Sequence, residues 1–142
     1  MLKVADILKT KGSNVFSVLP DSSVYDALKI MGEKNIGALM VIENEELKGI
    51  FSERDYARKV VLVNRTSRDT KISEIMTPNV ITISPSDTID HCMEQMSQKR
   101  IRHLPVALDG KIIGIISISD VVTAIIQMQK ETISHLHDYI SQ

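Results

Sequence analysis

The chain has 142 residues, of which 43% are hydrophobic, and a formal net charge of −1, enough apolar material for the core of one globular unit. Seventeen basic residues against eighteen acidic ones lack the positive excess that duplex nucleic acid demands, so no nucleic-acid partner is expected. A single cysteine, no opening basic-then-apolar segment of the secretory kind, and apolar stretches far short of the roughly 20 residues that cross a bilayer give the expectation of a cytoplasmic protein with no membrane partner.

The chain opens with a lead-in, Lys3-Val-Ala-Asp-Ile-Leu8, followed by a short β-type run, Val15-Phe-Ser-Val18, that Pro20 ends. Apolar positions Val24, Ala27, Leu28 and Met31 then fall at helical spacing, with Ser22 as the expected N-cap. Two strands predicted over Ala38–Glu43 and Leu47–Phe51 form a hairpin, and a helix over Glu53–Val63 closes the unit. The polar run from Val63 to Thr70 has no periodicity and reads as a connector.

A second lead-in, Lys71-Ile-Ser-Glu-Ile-Met76, then opens the same series again. Val80-Ile-Thr-Ile83 is ended by Pro85, and a helical stripe of Ile89, Cys92, Met93 and Met96 has Asp87 as its expected N-cap. A hairpin over Leu104–Leu108 and Lys111–Ile116 turns at Asp109-Gly110, a strong short-hairpin signal. The last helix is predicted from about Ser119, with a break, to Ile140.

Sliding the sequence against itself by 65 positions aligns residues 15–55 with 80–120 without a gap, and 11 of these 41 columns are identical. The chain is therefore a duplication, with a first repeat over 1–66, a second over 67–130 and a helical extension over 131–142. A β-α-β-β-α unit of about 60 residues is marginal alone. The expected fold is accordingly α/β (α+β): two such units packed about a pseudo-twofold axis, which creates a pair of related clefts.

Both repeats end on one pattern, Gly49-Ile-Phe-Ser-Glu-Arg-Asp55 and Gly114-Ile-Ile-Ser-Ile-Ser-Asp120. With Met76-Thr-Pro78, Arg100-Ile-Arg-His-Leu-Pro-Val106 and Glu53-Arg-Asp-Tyr-Ala-Arg-Lys-Val60, it resembles the signature of cystathionine-β-synthase-type (CBS) domain pairs, or Bateman modules, and of their small stand-alone bacterial members. The resemblance implies a non-catalytic module that binds AMP, ADP, ATP, NAD(H) or S-adenosylmethionine between its repeats as an energy or redox sensor, forms a homodimer, and acts on a regulated enzyme or transporter.

Carried onto this sequence, the principal site uses Thr82, His103, Leu104, Pro105, Ser117 and Asp120, with Arg54 and Arg58 reaching across from the first repeat; Ser17, Ser52 and Asp55 form the related site. The Asp carboxylate accepts the ribose hydroxyls, and phosphate lies away from it, against helix N-terminal amides, the serine and the arginines. The plainer reading makes Asp55 and Asp120 helix caps. No Walker loop, dinucleotide fingerprint or metal-ligand spacing is found, so no enzyme activity, required cofactor or metal is expected. The rival function is a ligand-independent interaction module using the mostly apolar stripe Ile125, Ile126, Gln129, Ile133, Leu136 and Ile140.

Overall fold

The computed structural model describes residues 2–141. Its first repeat holds β1 (Ser17–Val18), α2 (Val24–Lys34), β2 (Ala38–Glu43), β3 (Glu46–Ser52) and α3 (Glu53–Lys59). Its second holds α5 (Ile89–Lys99), β4 (His103–Leu108), β5 (Lys111–Ser117) and α6 (Ile118–Ser141). The lead-ins are α1 (Val4–Lys11) and α4 (Ile72–Ile75).

In the first repeat β1 runs parallel to β2, and β2 antiparallel to β3. In the second, the strand expected at 80–83 is reduced to one parallel bridge, Ile83 with Val106, beside the β4–β5 hairpin. Both hairpins are irregular at the same place, between Val41 and Ile42 and between Val106 and Ala107, next to the pairs Val41–Gly49 and Val106–Gly114. Their turns need positive φ, which Asn44 (54°) and Glu45 (64°) adopt in one and Asp109 (51°) and Gly110 (80°) in the other.

Three sequence expectations are corrected. The N-caps of α2 and α5 stand one residue later, at Ser23 and Thr88, whose hydroxyls accept from the Asp26 and His91 amides. Asp87 is drawn away by the Ser84 amide, 2.7 Å from its carboxylate. The closing helices also differ: α3 stops at Lys59, and a 310 turn over Val61–Val63 follows, whereas α6 runs 24 residues without the expected break. Val60, buried in the first core, leaves helical geometry (φ −121°, ψ −68°) and ends the first, while no Gly or Pro interrupts 118–141. Met93, placed on the buried stripe, is exposed; Cys92 and Met96 beside it are buried.

Each core draws on both halves of the chain. Val4, Ile7 and Leu8 of α1 pack with Ile89, Cys92, Leu104, Ile116 and Val121 of the second repeat. Ile72 and Ile75 of α4 pack with Val24, Met31, Leu39 and Phe51 of the first. The lead-ins thus exchange places, and matching backbone bonds seat them. The Val4 and Ala5 amides donate to the Asp87 and Pro85 carbonyls at 2.9 Å, and the Ile72 and Ser73 amides to the Ser22 and Pro20 carbonyls at 2.8 and 2.9 Å. The connector is fastened too: buried Thr70 bonds the Thr66 carbonyl, and Arg65 pairs with Glu74.

The exchange explains the recurring glycine. A Cβ on Gly49 would stand 2.7 Å from Met76 Sδ and 2.8 Å from the Thr77 carbonyl oxygen, just after α4; one on Gly114 would stand 2.9 Å from a Leu8 methyl of α1. Backbone yields less readily than the tip of a leucine. Gly49→Ala is therefore expected to lower the unfolding free energy by about 1–3 kcal/mol and Gly114→Ala by less, measured as urea midpoints at unchanged m value.

Candidate ligand clefts

The Ser-x-x-Asp part of the motif builds the same device twice. Where β3 meets α3, the Asp55 amide donates to Ser52 Oγ at 3.2 Å and the Ser52 amide to Asp55 Oδ2 at 3.0 Å. Where β5 meets α6, the Asp120 amide donates to Ser117 Oγ at 3.1 Å and the Ser117 amide to Asp120 Oδ2 at 2.8 Å. Each is a reciprocal capping box that satisfies two amides at the helix start. The Gly, Ser and Asp of the motif all have structural work before any ligand arrives.

Two clefts lie between the repeats. The first, about 480 Å³, has Ser117 and Asp120 of the second repeat on one side and Phe16, Ala38 and Met40 of the first on the other, with Lys11 and His103 also on its wall. The second, about 430 Å³, reverses the roles: Ser52 and Asp55 face Val80, Ile81 and His103, and the cations Arg54, Arg100 and Arg102 line it. Each therefore sets the motif of one repeat against strand residues of the other. A larger hollow of about 760 Å³ lies between α1 and α6, lined by residues of those helices and Leu2. It holds no strand residue, and we read it as a surface groove.

The residues assigned to one principal site are consequently divided. Ser117, Asp120 and His103 share a cleft; Arg54 lines the other with Ser52 and Asp55; His103 borders both. Leu104 is fully buried in the core, and buried Pro105 turns its carbonyl to the Ile83 amide. Thr82, Ser17 and Arg58 are exposed and line neither cleft. Arg54 and Arg58 are one helical turn apart, yet only Arg54 reaches the opening. Wall residues not singled out from sequence include Lys11, Phe16, Met40, Arg100 and Arg102. Arg100 and Arg102 stand beside His103 in the quoted Arg-Ile-Arg-His run, and their alternation with apolar Ile101 was the available signal. Lys11 carried none, because its partners Ile115 and Asp120 lie more than 100 residues further along the chain.

The two carboxylates are held differently. Asp55 Oδ2 takes the Ser52 amide and hydroxyl, and its Oδ1 takes Lys59 at 3.2 Å and Thr77 Oγ1 at 3.5 Å. Asp120 Oδ2 takes the Ser117 amide and Lys11 Nζ, the latter at 2.6 Å, and among the described residues its Oδ1 has no protein partner. Burial opposes ionisation of Asp120, but the bonds from Lys11 and from the Ser117 amide outweigh it and hold the carboxyl below its ordinary 3.8. Burial and the Lys11 charge push His103 below its ordinary 6.5, against the pull of Asp120. Its imidazole is therefore neutral at pH 7 and able to both donate and accept. Burial raises the Cys92 thiol to about 11, which leaves it protonated and unreactive. Among the described residues no group of three or more His, Cys, Asp or Glu is placed to hold a metal, and no helix is long and apolar enough to cross a membrane.

Two repeats of one mixed α+β plan, lead-ins exchanged and motif clefts paired between them, define a duplicated two-cleft module. The CBS-domain family profile matches residues 4–62 and 72–127, and the chain belongs to that family. A curated relative, the mitochondrial CBS domain-containing protein CBSX3 of Arabidopsis thaliana, is 39% identical over 96% of this chain and 71% of its own. A solved CBS-domain protein of Burkholderia ambifaria superposes with a TM-score of 0.85 at 48% identity, covering 88% of this chain and 94% of that one. The CBS domain pair of protein MJ0100, solved in complex with 5′-methylthioadenosine and S-adenosylmethionine, superposes at 0.77 with 29% identity over 88% and 96% of the two chains. The chain is thus a CBS pair of the regulatory kind.

His103 and Asp120 both have depressed pKa values in the folded protein, so each stabilises it above its unfolded value and loses that contribution as pH falls through the folded one. His103→Gln is expected to flatten the decline in unfolding free energy that begins below about pH 6.5, and Asp120→Asn only the decline below about pH 4, in urea titrations at stepped pH.

Proposed function

We propose that this chain is a regulatory module that binds an adenosyl ligand in the clefts between its repeats, reporting AMP, ADP, ATP, NAD(H) or S-adenosylmethionine to a partner enzyme or transporter, and is not itself an enzyme. The observation that carries this reading is the Asp120 cleft. A half-buried carboxylate is fixed through one oxygen, with the other unclaimed among the described residues, in a cleft whose wall also carries Phe16, Ala38 and Met40. A ribose diol donates to the carboxylate, and a purine packs against the wall. Neutral His103 on the wall offers a polar contact to the ligand. The adenosyl ligands of MJ0100 fit the same chemistry.

The Asp55 cleft is the second site of this reading, with Ser52 and Asp55 for the ribose and Arg54, Arg100 and Arg102 for anionic groups. Leu104 and Pro105 of β4 serve this reading as the strand beneath the clefts, and Thr82, Ser17 and Arg58, exposed and outside both walls, take no side-chain part in it. Work of this kind requires no cofactor and suits a cytoplasmic protein. Thermal unfolding against AMP, ADP, ATP, NAD⁺, NADH and S-adenosylmethionine is expected to show a selective rise in melting temperature. Asp120→Ala should weaken that ligand by about 1.5–3 kcal/mol. A flat response to all six would leave the interaction module as the reading.

One observation favours an interaction surface alongside the ligand sites. The α6 helix, about 36 Å long, carries exposed Ile126, Ile133, Leu136, Tyr139 and Ile140 beyond the body of the second repeat. We infer that it joins two copies in a homodimer, because exposed apolar residues gathered along one stripe of a projecting helix mark a surface that a partner covers. Deleting residues 131–142 is expected to convert the dimer to a monomer in sedimentation while the cores, which end at Val121 and Ile125, still unfold cooperatively. An unchanged dimer would move the interface elsewhere.

A further inference from the structure

We propose that Lys11 is the specificity-determining residue of the Asp120 cleft, selecting adenosyl ligands with an anionic 5′ substituent over those with a cationic one. The inference rests on the adenosyl-ligand reading above and adds to it the charge of the ligand.

Lys11 comes from the last turn of α1, a helix seated in the second repeat by Val4, Ile7 and Leu8. Because those side chains are buried, the base of the lysine is fixed, and its ammonium is delivered to one place. There Nζ donates to the Ile115 carbonyl at 2.7 Å and to Asp120 Oδ2 at 2.6 Å, while the side chain also lines the cleft. Asp120 is the group that would hold the ribose hydroxyls. The 5′ substituent of a nucleoside lies within a few Å of those hydroxyls, well inside the screening length of about 8 Å at physiological ionic strength, so it feels the lysine directly.

The other cleft has the same bonds arranged to a different end. Lys59 also bridges a backbone carbonyl, of Ile75 at 3.1 Å, and its aspartate, Asp55 at 3.2 Å. It belongs to the same helix as that aspartate, one turn on, and is not part of the cleft wall. Lys59 therefore holds Asp55 from behind, whereas Lys11 stands in the opening. In the Asp120 cleft one carboxylate faces two cations, Lys11 and Arg102. Since Asp120 Oδ1 has no partner among the described residues, a ribose is received without evicting Lys11. The ammonium remains to attract a 5′-phosphate and to repel the sulfonium of S-adenosylmethionine.

The test is calorimetric titration of the full chain and of its Lys11→Met and Lys11→Arg variants with AMP, adenosine and S-adenosylmethionine. The site read is the one that Asp120→Asn removes. Lys11→Met is expected to weaken AMP roughly tenfold, to change adenosine much less, and to shift the AMP to S-adenosylmethionine affinity ratio by tenfold or more, while Lys11→Arg keeps the wild-type ratio. An unchanged ratio in Lys11→Met overturns the proposal. So does an equal loss for all three ligands, which would make Lys11 a support for Asp120 alone. If the wild-type chain binds none of the three, the adenosyl-ligand reading fails and the selection with it. Binding without selection removes only the role of Lys11.

Discussion

The close approach of each lead-in to the opposite repeat's hairpin governs the rest of the structure. Gly49 and Gly114 leave room for it, Met76 and Leu8 fill that room, and paired backbone bonds at Pro20, Ser22, Pro85 and Asp87 hold it in register. Neither repeat closes its own core without a segment from the other side of the chain. Units of about 60 residues bury a limited share of their surface and are marginal alone. Exchanging an amphipathic helix gives each unit the missing cover and joins the two halves at once. The clefts are a by-product of that pairing, since they open where the motif end of one repeat meets the strands of the other.

The carboxylate at the end of the motif illustrates how one residue carries two kinds of work. One oxygen of Asp120 completes the helix cap, and the other has no partner among the described residues. At Asp55 both oxygens are taken by protein groups, including Lys59 and Thr77. Equivalent positions in a duplicated sequence have therefore diverged in what they offer, although Ser and Asp are identical in both. The divergence comes from neighbours outside the aligned segment: Lys11 of α1 at Asp120, and Lys59 of α3 with Thr77 just after α4 at Asp55.

Much of this was legible in the sequence, and the remainder was hidden for physical reasons. Duplication appeared as an ungapped offset, the α2 and α5 faces as apolar spacing, and the second hairpin turn as Asp109-Gly110, because those signals are local or periodic. The N-caps were misplaced by one residue because Ser22 and Ser23, or Asp87 and Thr88, are adjacent competent caps, and only the Ser84 amide decides the second case. The candidate site was read in part: Ser117, Asp120 and His103 meet, while Arg54 belongs to the other cleft and Leu104 is sealed in the core. Alternation along a strand does not say which repeat it faces. Lys11 and the motif glycines required the crossing of the lead-ins, a relation between segments more than 100 residues apart in one case.

That crossing also bears on how the molecule is made. A chain leaves the ribosome in the N-to-C direction, so α1 emerges well before its buried partners Ile116 and Val121, which are among the last core residues synthesised. The first repeat, by contrast, completes its core as soon as Ile75 is free of the exit tunnel. Val4, Ile7 and Leu8 must pass most of translation without their permanent cover, next to a finished domain. In the growing chain, this helix is an apolar segment that the cell has to keep from other chains until the strands of the second repeat arrive.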